Sequence, residues 1–158
     1  MSSIADHCQD LPITAFAPGE DILVEGASTG RLYVLVEGTV EVLKGDFQIN
    51  LVSERGAVFG DMSALLDIPH MATVRAVTAA SAHRIEDGEA FLRSRPEISF
   101  YLAKMLAQRL HGVTAYLVDL RRQFERETGH LSMVDEILET LVHEQRSHFT
   151  PGSDRDPG

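Results

Sequence analysis

VFGDMSALLDIPHMATVRA, residues 58–76, is the most informative stretch of this chain. Gly60 permits a tight passage out of a short strand, and residues 62–66 have the length of one short helical turn. The backbone N–H groups at the start of such a turn are ready donors to an anion. Pro69 ends the turn, and a new strand is expected from about Thr73. The stretch predicts a strand, a turn, a short helix and a second strand around an anion site.

Short strand-like runs separated by turn residues surround this stretch, from Ile13 to Ile85. The tripeptide Pro18-Gly19-Glu20 predicts a turn. Residues 39–42 alternate with a period of two, which is typical of a half-buried strand. The other β-favouring runs are residues 22–24, 32–36, 48–51, 73–77 and 82–85. Many short strands with regular turn signals favour a sandwich or barrel.

The pattern becomes helical after Asp87. Asp87 suits the N-cap of a short helix, and Pro96 suits the first position of the next one. In that second helix apolar residues recur at spacings of three and four, as in a coiled-coil seam. The seam consists of Ala103, Leu106, Leu110, Val113, Leu117, Leu120 and Phe124. We therefore expect a homodimer through this seam. The alternative is one broad face packed within the domain itself.

The predicted organisation is one folded domain with shorter flanking segments. The expected parts are a flexible N-terminus over 1–12, a domain over 13–126 with its β-roll over about 13–86 and its helices over about 87–126, an extra C-terminal helix over 131–147, and a disordered tail over 148–158. The tail is polar and contains Pro151, Gly152 and Pro157, which disfavour a packed structure.

Composition and charge narrow the classes of function. The chain has 158 residues, of which 44 % are hydrophobic and 24 % charged, as in ordinary soluble proteins. No apolar run reaches the roughly 18 residues of a membrane span, and the start of the chain lacks a signal-peptide pattern. The net charge of -10 repels nucleic acid. One cysteine, Cys8, excludes an internal disulfide and fits a reducing cytoplasm. We expect a cytoplasmic protein that binds neither nucleic acid nor membrane.

Residues 58–76 resemble the phosphate-binding cassette of the cyclic nucleotide-binding domain family, which includes the catabolite activator proteins and the regulatory subunits of protein kinase A. That cassette reads Phe-Gly-Glu-(Leu/Met)-(Ala/Ser) and then, after about six residues, Pro-Arg-(Ala/Ser)-Ala-(Ser/Thr)-Val. The match needs no gap, and the upstream Pro18-Gly19-Glu20, Glu25-Gly26, Leu32-Tyr33 and Glu37-Gly38 also match the family's strand and turn pattern. The whole resemblance covers about residues 13–124. The resemblance implies a mainly β fold with α, an antiparallel, jelly-roll-like β-roll with C-terminal helices.

The resemblance also implies a ligand site in two parts. The cassette part consists of Gly60, Asp61, Met62, Ser63, His70, Met71 and Ala72. The family's C-terminal helix contacts the purine base, and the corresponding positions here are Val113 and Thr114. Thr114 would offer a hydroxyl group to the base, or it is an ordinary helix residue.

Two departures from the family's cassette bear on affinity. The family's glutamate, which bonds the ribose 2′-hydroxyl, is Asp61 here and is one methylene shorter. The family's arginine, which grips the cyclic phosphate, is His70 here, and Met71 adds bulk beside it. Imidazole is mostly neutral near pH 7 and lacks a fork of donors. At about 1.5–3 kcal/mol for each hydrogen bond to a charged group, we expect phosphate binding to weaken by roughly two to three decades.

These observations predict a stand-alone regulatory or ligand-sensing domain that binds cyclic AMP and cyclic GMP weakly or not at all. One alternative is a genuine cyclic nucleotide receptor, with Arg75 or Arg84 as a compensating cation. Another is an interaction or scaffold module with no nucleotide ligand. A role of His70 as a metal or haem ligand lacks an identifiable partner ligand.

Catalytic and DNA-binding roles are not expected from this sequence. It carries no catalytic motif and no metal-ligand spacing, so we expect neither an enzyme nor a resident cofactor. No recognition helix is expected after residue 147, so DNA binding is not predicted either. The signal should therefore pass to a downstream protein.

Overall fold

The computed structural model describes residues 4–125 and 135–142. Within residues 4–125 a short 3-10 helix precedes eight strands and three α-helices. The bounds are the 3-10 helix Ile4–Cys8, β1 Ile13–Phe16, β2 Asp21–Leu23, β3 Leu32–Glu37, β4 Val40–Lys44, β5 Phe47–Val52, β6 Val58–Phe59, α1 Asp61–Leu66, β7 Thr73–Ala76, β8 Ala80–Ile85, α2 Gly88–Ser94 and α3 Pro96–Gln123. Residues 135–142 are also helical.

The strands form two four-stranded antiparallel sheets. One has the order β1-β8-β3-β6 and the other the order β2-β7-β4-β5. In the first sheet β8 is central, because His83 is paired with Ile13 of β1 on one side and with Val34 of β3 on the other. In the second sheet β7 and β4 pair in the register Val74 to Val42. The predicted antiparallel β-roll with C-terminal helices is confirmed.

Apolar side chains from both sheets make the core of the roll. The rings of Phe16 and Tyr33 meet edge to face, with centroids 6.0 Å apart. Burying one such apolar side chain stabilises the fold by about 1.5–3 kcal/mol. The buried cluster consists of Phe16, Ile22, Leu23, Tyr33, Leu35, Val40, Val74, Ala76, Ala80 and Ala82. This core holds the strands from which the cassette emerges.

The two helix starts that the sequence predicts are confirmed. The side chain of Asp87 accepts a hydrogen bond of 3.1 Å from the Ala90 N–H and caps α2. Such a cap satisfies one of the N–H groups left unpaired in a first helical turn. Pro96 occupies the first position of α3, where its missing N–H costs nothing.

The N-terminal segment differs from the flexible segment expected over residues 1–12. Ile4, Ala5 and Cys8 are buried on the 3-10 helix, which packs against β3. Arg95 holds this helix by donating a hydrogen bond of 3.1 Å to the His7 carbonyl. Burial raises the pKa of the Cys8 thiol. The apolar residues of this helix therefore belong to the folded part of the chain.

The chain divides into two compact units, Met1–Tyr101 and Leu102–Gly158. In the second unit Arg121 Nε lies 3.0 Å from Asp135 Oδ1. The helix expected over 131–147 is observed over 135–142, whereas residues 131–134 and 143–147 and the expected tail over 148–158 lie outside the described residues. Among the helices described, none combines the length and apolar character needed to cross a bilayer.

Candidate functional site

Gly60 turns the chain from β6 into α1. Its φ of 89° lies in the left-handed region, and a Cβ at this position would lie 2.3 Å from the Arg31 carbonyl oxygen. Glycine alone satisfies both constraints without strain. Gly60 is also the N-cap of α1 and supplies no side-chain cap. The backbone at the start of α1 therefore lies directly against the chain at Arg31.

The first turn of α1 directs two cassette side chains inward and leaves one exposed. Asp61 and Ser63 are buried, whereas Met62 is 40 % exposed. The Ser63 hydroxyl donates a hydrogen bond of 3.1 Å to the Gly60 carbonyl. Asp67 follows α1 as its C-cap, and its φ of 56° is left-handed. The carboxylate and the hydroxyl that the sequence assigned to the cassette thus lie inside the fold.

His70 is buried, with 3 % of its surface exposed. Its Nδ1 lies 2.8 Å from Ser63 Oγ, and its Nε2 lies 2.7 Å from Thr29 Oγ1. Its N–H donates to the Ala27 carbonyl at 2.9 Å, and its carbonyl accepts from the Gly26 N–H at 2.8 Å. Both ring nitrogens and both backbone groups of His70 are therefore engaged. Through them the cassette is tied to residues 26–29.

The hydrogen bonds around His70 fit a neutral ring. The Arg31 N–H donates to Thr29 Oγ1, so the Thr29 hydroxyl proton is available to Nε2. Because the Ser63 hydroxyl donates to Gly60, its oxygen can accept a proton from Nδ1. This network assigns the ring proton to Nδ1. Burial also lowers the pKa of His70, so the ring carries no permanent positive charge near pH 7.

Met71 and Ala72 follow His70 at the end of the cassette. The Met71 side chain is 46 % exposed, and Ala72 is half-buried. The Met71 carbonyl accepts a hydrogen bond of 2.7 Å from Lys44 Nζ. The expected crowding of an anion by the Met71 side chain stays a prediction.

A group of polar contacts that the sequence did not predict holds this end of the cassette. Lys44 Nζ also lies 3.1 Å from Glu25 Oε2, and the Gly45 N–H donates to Glu25 Oε1 at 2.9 Å. The Glu25 N–H donates to Thr73 Oγ1 at 3.0 Å. The Gly45 N–H, and after it the Lys44 ammonium, lower the pKa of the Glu25 carboxyl. The Lys44 ammonium is therefore engaged by a carboxylate and a carbonyl.

The two arginines considered as compensating cations are paired with carboxylates at the surface. Arg75 alternates with buried neighbours in β7, and its Nε lies 2.7 Å from Asp21 Oδ1. The hydrogen bond to Asp21 raises the pKa of Arg75. Arg84 Nε lies 2.5 Å from Glu86 Oε2. Neither guanidinium is directed into the core of the roll.

A cavity of about 290 Å³ adjoins the two hydroxyl groups that hold His70. Thr29 and Ser63 line it, and its charged lining residues are Asp67, Asp87 and Glu89. The other lining residues are Ser28, Gly30, Ala64 and Ile68. A space surrounded by three carboxylates does not favour an anion. The cavity instead places three acidic residues beside the two residues whose hydroxyl groups bond His70.

A metal or haem ligand role for His70 conflicts with its contacts. Both ring nitrogens already bond hydroxyl groups, which leaves neither nitrogen available for iron or zinc. In the described part of the chain, no three or more histidine, cysteine or acidic side chains are grouped to hold a metal ion.

The remaining predicted site residues lie in α3, in the second compact unit. Val113 is 51 % exposed and Thr114 is half-buried, and their contact with a base stays a prediction. Every seam residue from Ala103 to Phe124 is exposed or half-buried. The seam therefore remains an apolar strip on the single chain.

Thr29 is the site residue that the sequence analysis missed. It lies in the turn before β3 and bonds His70, which is 41 residues further along the chain. Its only signal in the sequence is a hydroxyl residue in a glycine-containing turn, Ser28-Thr29-Gly30. That signal is common to many turns, so the contact becomes visible only in the fold.

Known proteins resemble this chain over much of its length. A sequence model of the cyclic nucleotide-binding domain matches residues 13–93. The CRP-like cAMP-activated global transcriptional regulator of Mycobacterium tuberculosis is 29 % identical over 125 residues, 75 % of this chain and 56 % of that protein. The cAMP-dependent protein kinase type II regulatory subunit of Drosophila melanogaster is 30 % identical over 96 residues, 61 % of this chain and 25 % of that protein. The chain thus spans about half, or less, of the length of these relatives.

Solved structures share the fold. A transcriptional regulator from Thermotoga maritima has a TM-score of 0.62 at 14 % identity, over 75 % of this chain and 98 % of that one. The PKAR CBD2 domain bound to Sp-2Cl-cAMPS has a TM-score of 0.55 at 22 % identity, over 70 % of this chain and 71 % of that one. At these identities the likeness concerns the fold alone. Because the family match covers more than half of the residues, this chain belongs to the cyclic nucleotide-binding domain family.

Proposed function

We propose that this chain is a regulatory, ligand-sensing domain whose cassette binds cyclic AMP and cyclic GMP weakly or not at all. The observation that carries this proposal is the state of His70, which is buried, neutral and bonded through both ring nitrogens. At the corresponding position the family has an arginine that grips the cyclic phosphate.

The chemistry of the two side chains supports weak binding. A guanidinium presents a fixed fork of donors and a permanent charge, whereas a neutral imidazole has one N–H. That N–H is already used by Ser63 in the arrangement that satisfies every hydrogen bond of the network. A direct contact of His70 with a phosphate oxygen would therefore break an existing hydrogen bond.

The nearby cations support the same conclusion. Arg75 and Arg84 are bonded to Asp21 and Glu86, and Lys44 is bonded to Glu25. Moving any of these cations to a ligand phosphate would leave a carboxylate without its present partner. None of these three cations can thus replace the family's arginine without giving up its present carboxylate partner.

The relatives support a regulatory rather than a catalytic role. One is named a cAMP-activated transcriptional regulator and another a regulatory subunit of a cAMP-dependent kinase. We propose neither catalysis nor a resident cofactor for this chain, and no contact with nucleic acid. We propose that the protein acts in the cytoplasm. Its signal passes to a downstream protein.

The substitution His70→Arg tests this proposal by calorimetric titration with cyclic AMP at about pH 7.5. We expect the variant to bind about 100-fold to 1,000-fold more tightly than the unaltered protein, because it regains a charged fork of donors. The control is His7→Arg on the 3-10 helix, where the ring is 42 % exposed, because it adds the same charge elsewhere. Equal affinities in all three proteins would refute the role given to His70.

A genuine cyclic nucleotide receptor is the second candidate. The buried carboxylate of Asp61 on the first turn of α1 favours it, because this position is where the family bonds the ribose. A sub-micromolar dissociation constant of the unaltered protein for cyclic AMP or cyclic GMP would establish this candidate instead. A module with no small ligand at all is distinguished by a melting temperature that no nucleotide or anion raises.

The proposed regulatory role includes a homodimer through the seam of α3. Leu110 is 39 % exposed and Val113 is 51 % exposed, although both are apolar. Light scattering of Leu110→Glu tests the dimer, and the matched control is Ala115→Glu, on an exposed part of α3 outside the seam. We expect the first variant to be a monomer and the second a dimer. A monomeric unaltered protein would exclude this part of the proposal.

A further inference from the structure

The two hydroxyl groups that hold His70 can bond the ring in either of its protonation states. A hydroxyl group donates one hydrogen bond and accepts two, so it is a partner both for a bare ring nitrogen and for an N–H. Ser63 Oγ lies 2.8 Å from Nδ1, and Thr29 Oγ1 lies 2.7 Å from Nε2. A carboxylate would have favoured the protonated ring, and a backbone carbonyl would have required an N–H. The pair of hydroxyls imposes neither state.

One hydrogen bond reverses when the ring takes up a proton. In the neutral ring the Thr29 hydroxyl donates to Nε2 while its oxygen accepts from the Arg31 N–H. In the protonated ring Nε2 carries the proton and becomes the donor, and Thr29 Oγ1 accepts from both groups. The Ser63 bond keeps its direction, because Nδ1 donates in both states. The Thr29 O–H keeps its proton and turns to donate to another acceptor.

The charged side chains around His70 are mainly acidic. Asp61 begins α1 and Asp67 follows its end, Asp87 caps α2 and Glu89 lies in its first turn, Glu25 and Arg31 lie on the chain before β3, and Lys44 ends β4. The two cations are already bonded to carboxylates, Arg31 to Glu86 and Lys44 to Glu25. The cavity beside the hydroxyls is lined by Asp67, Asp87 and Glu89, and it offers acceptors toward which the Thr29 O–H can turn.

In the site without ligand, burial penalises the charged form of His70 and keeps the ring neutral. An anion placed in the cassette would interact favourably with a positive ring. A bound anion would therefore shift the balance toward the protonated state.

We propose that His70 takes up one proton from solvent when an anionic ligand such as a cyclic phosphodiester enters the cassette, with Thr29 as the positioning residue that reverses its hydrogen bond. This inference rests on the proposed function and adds its regulation, because the affinity of the site then depends on pH. An acidic medium strengthens binding and a basic medium weakens it.

Calorimetric titration with cyclic AMP from about pH 5.5 to about pH 8 measures how strongly ligand binding is coupled to protonation of His70. Affinity should rise by at most about tenfold for each pH unit of acidification, the limit for one linked proton. Titrations in two buffers of different ionisation enthalpy should show close to one proton taken up per nucleotide bound. This measurement uses the unaltered protein, so it does not depend on whether a variant folds.

Variants at positions 70 and 29 assign the proton. In His70→Gln the proton uptake should vanish. Thr29→Ser keeps the hydroxyl and should keep the dependence of cyclic AMP affinity on pH. Thr29→Val removes the hydroxyl at nearly constant volume and should shift that pH dependence. A merely structural role of Thr29 would change the affinity equally at every pH.

The outcomes separate this inference from the proposed function. Binding without proton uptake, uptake that persists in His70→Gln, or no binding even at about pH 5.5 would each overturn the inference. In those cases His70→Arg still tests the proposed function, because its charge is permanent and its tighter binding should not vary with pH. If His70→Arg binds cyclic AMP no more tightly than the unaltered protein, the role that the proposed function gives to His70 fails together with the inference.

Discussion

The cassette and the outer surface of the roll carry polar groups in opposite ways. In the cassette the His70 ring is buried and neutral, and it bonds two hydroxyl groups. On the outside Arg75 is charged, partly exposed and paired with Asp21. The shape of the roll comes from glycine turns and apolar strands, whereas its charge depends on single side chains. A domain can therefore keep its family's fold while the ligand preference of its site changes.

The largest expected effect on stability is at Gly60 in the cassette, and the turn at Gly45 on the outside of the roll is the matched comparison. Gly60→Ala should lower the free energy of unfolding by about 3 kcal/mol or more, because its Cβ would collide with the Arg31 carbonyl at positive φ. Gly45→Ala in the β4–β5 turn has open space around it, and it should lose only about 1–2 kcal/mol. Urea denaturation measures both. Equal losses would contradict the close approach of the backbone at Gly60.

A second substitution sharpens the comparison inside the cassette. In the His70→Arg background, Asp61→Glu should tighten cyclic AMP binding by about a further tenfold, because the longer side chain extends the carboxylate toward the ribose. Titration calorimetry of the double variant against His70→Arg alone measures this gain. Weaker binding by the double variant would indicate that Asp61 already has the productive length.

The stability of the protein should depend on pH through His70. Its pKa is lowered in the folded state, so its contribution is fully present above about pH 6.5 and is lost as the pH falls through the folded value. Between about pH 7.5 and about pH 5, the unaltered protein should lose more unfolding free energy than His70→Gln, because the folded state resists protonation of the ring. Urea denaturation at both pH values, without ligand, measures the difference. Parallel losses in the two proteins would refute a neutral buried ring.

The smallest effect is expected at the outer surface. Arg75→Gln should leave the unfolding free energy almost unchanged, because its partly exposed pair with Asp21 is screened by solvent. Its affinity for cyclic AMP should equal that of the unaltered protein. A clear loss of affinity would mean that Arg75 contributes to ligand binding and that its place on the outer surface does not exclude it from the site.

The fold was largely predictable from the sequence because its signals are local. Asp87 and Pro96 indicate helix starts by their own chemistry, and the turn at Gly60 follows from a glycine between a strand and a short helix. Period-two alternation indicates the strand that became β4. The 3-10 helix was missed, since three buried residues in a five-residue helix give too short a pattern to establish a period.

The contacts of the site were only partly predictable. Gly60, Ser63 and His70 were assigned to one cassette, and hydrogen bonds join them in the fold. The contributions of Thr29 and of the Lys44–Glu25 pair depend on elements far apart in sequence. The state of His70 likewise depends on burial and on hydroxyl partners, which residue identity alone does not specify.

Calorimetric titration of the unaltered protein with cyclic AMP at about pH 7.5 tests most directly whether the cassette lacks a permanent positive charge for the phosphate. We predict a dissociation constant well above the micromolar range, since an uncharged ring held by two hydroxyls replaces the forked cation. Sub-micromolar binding at one site per chain would contradict the account.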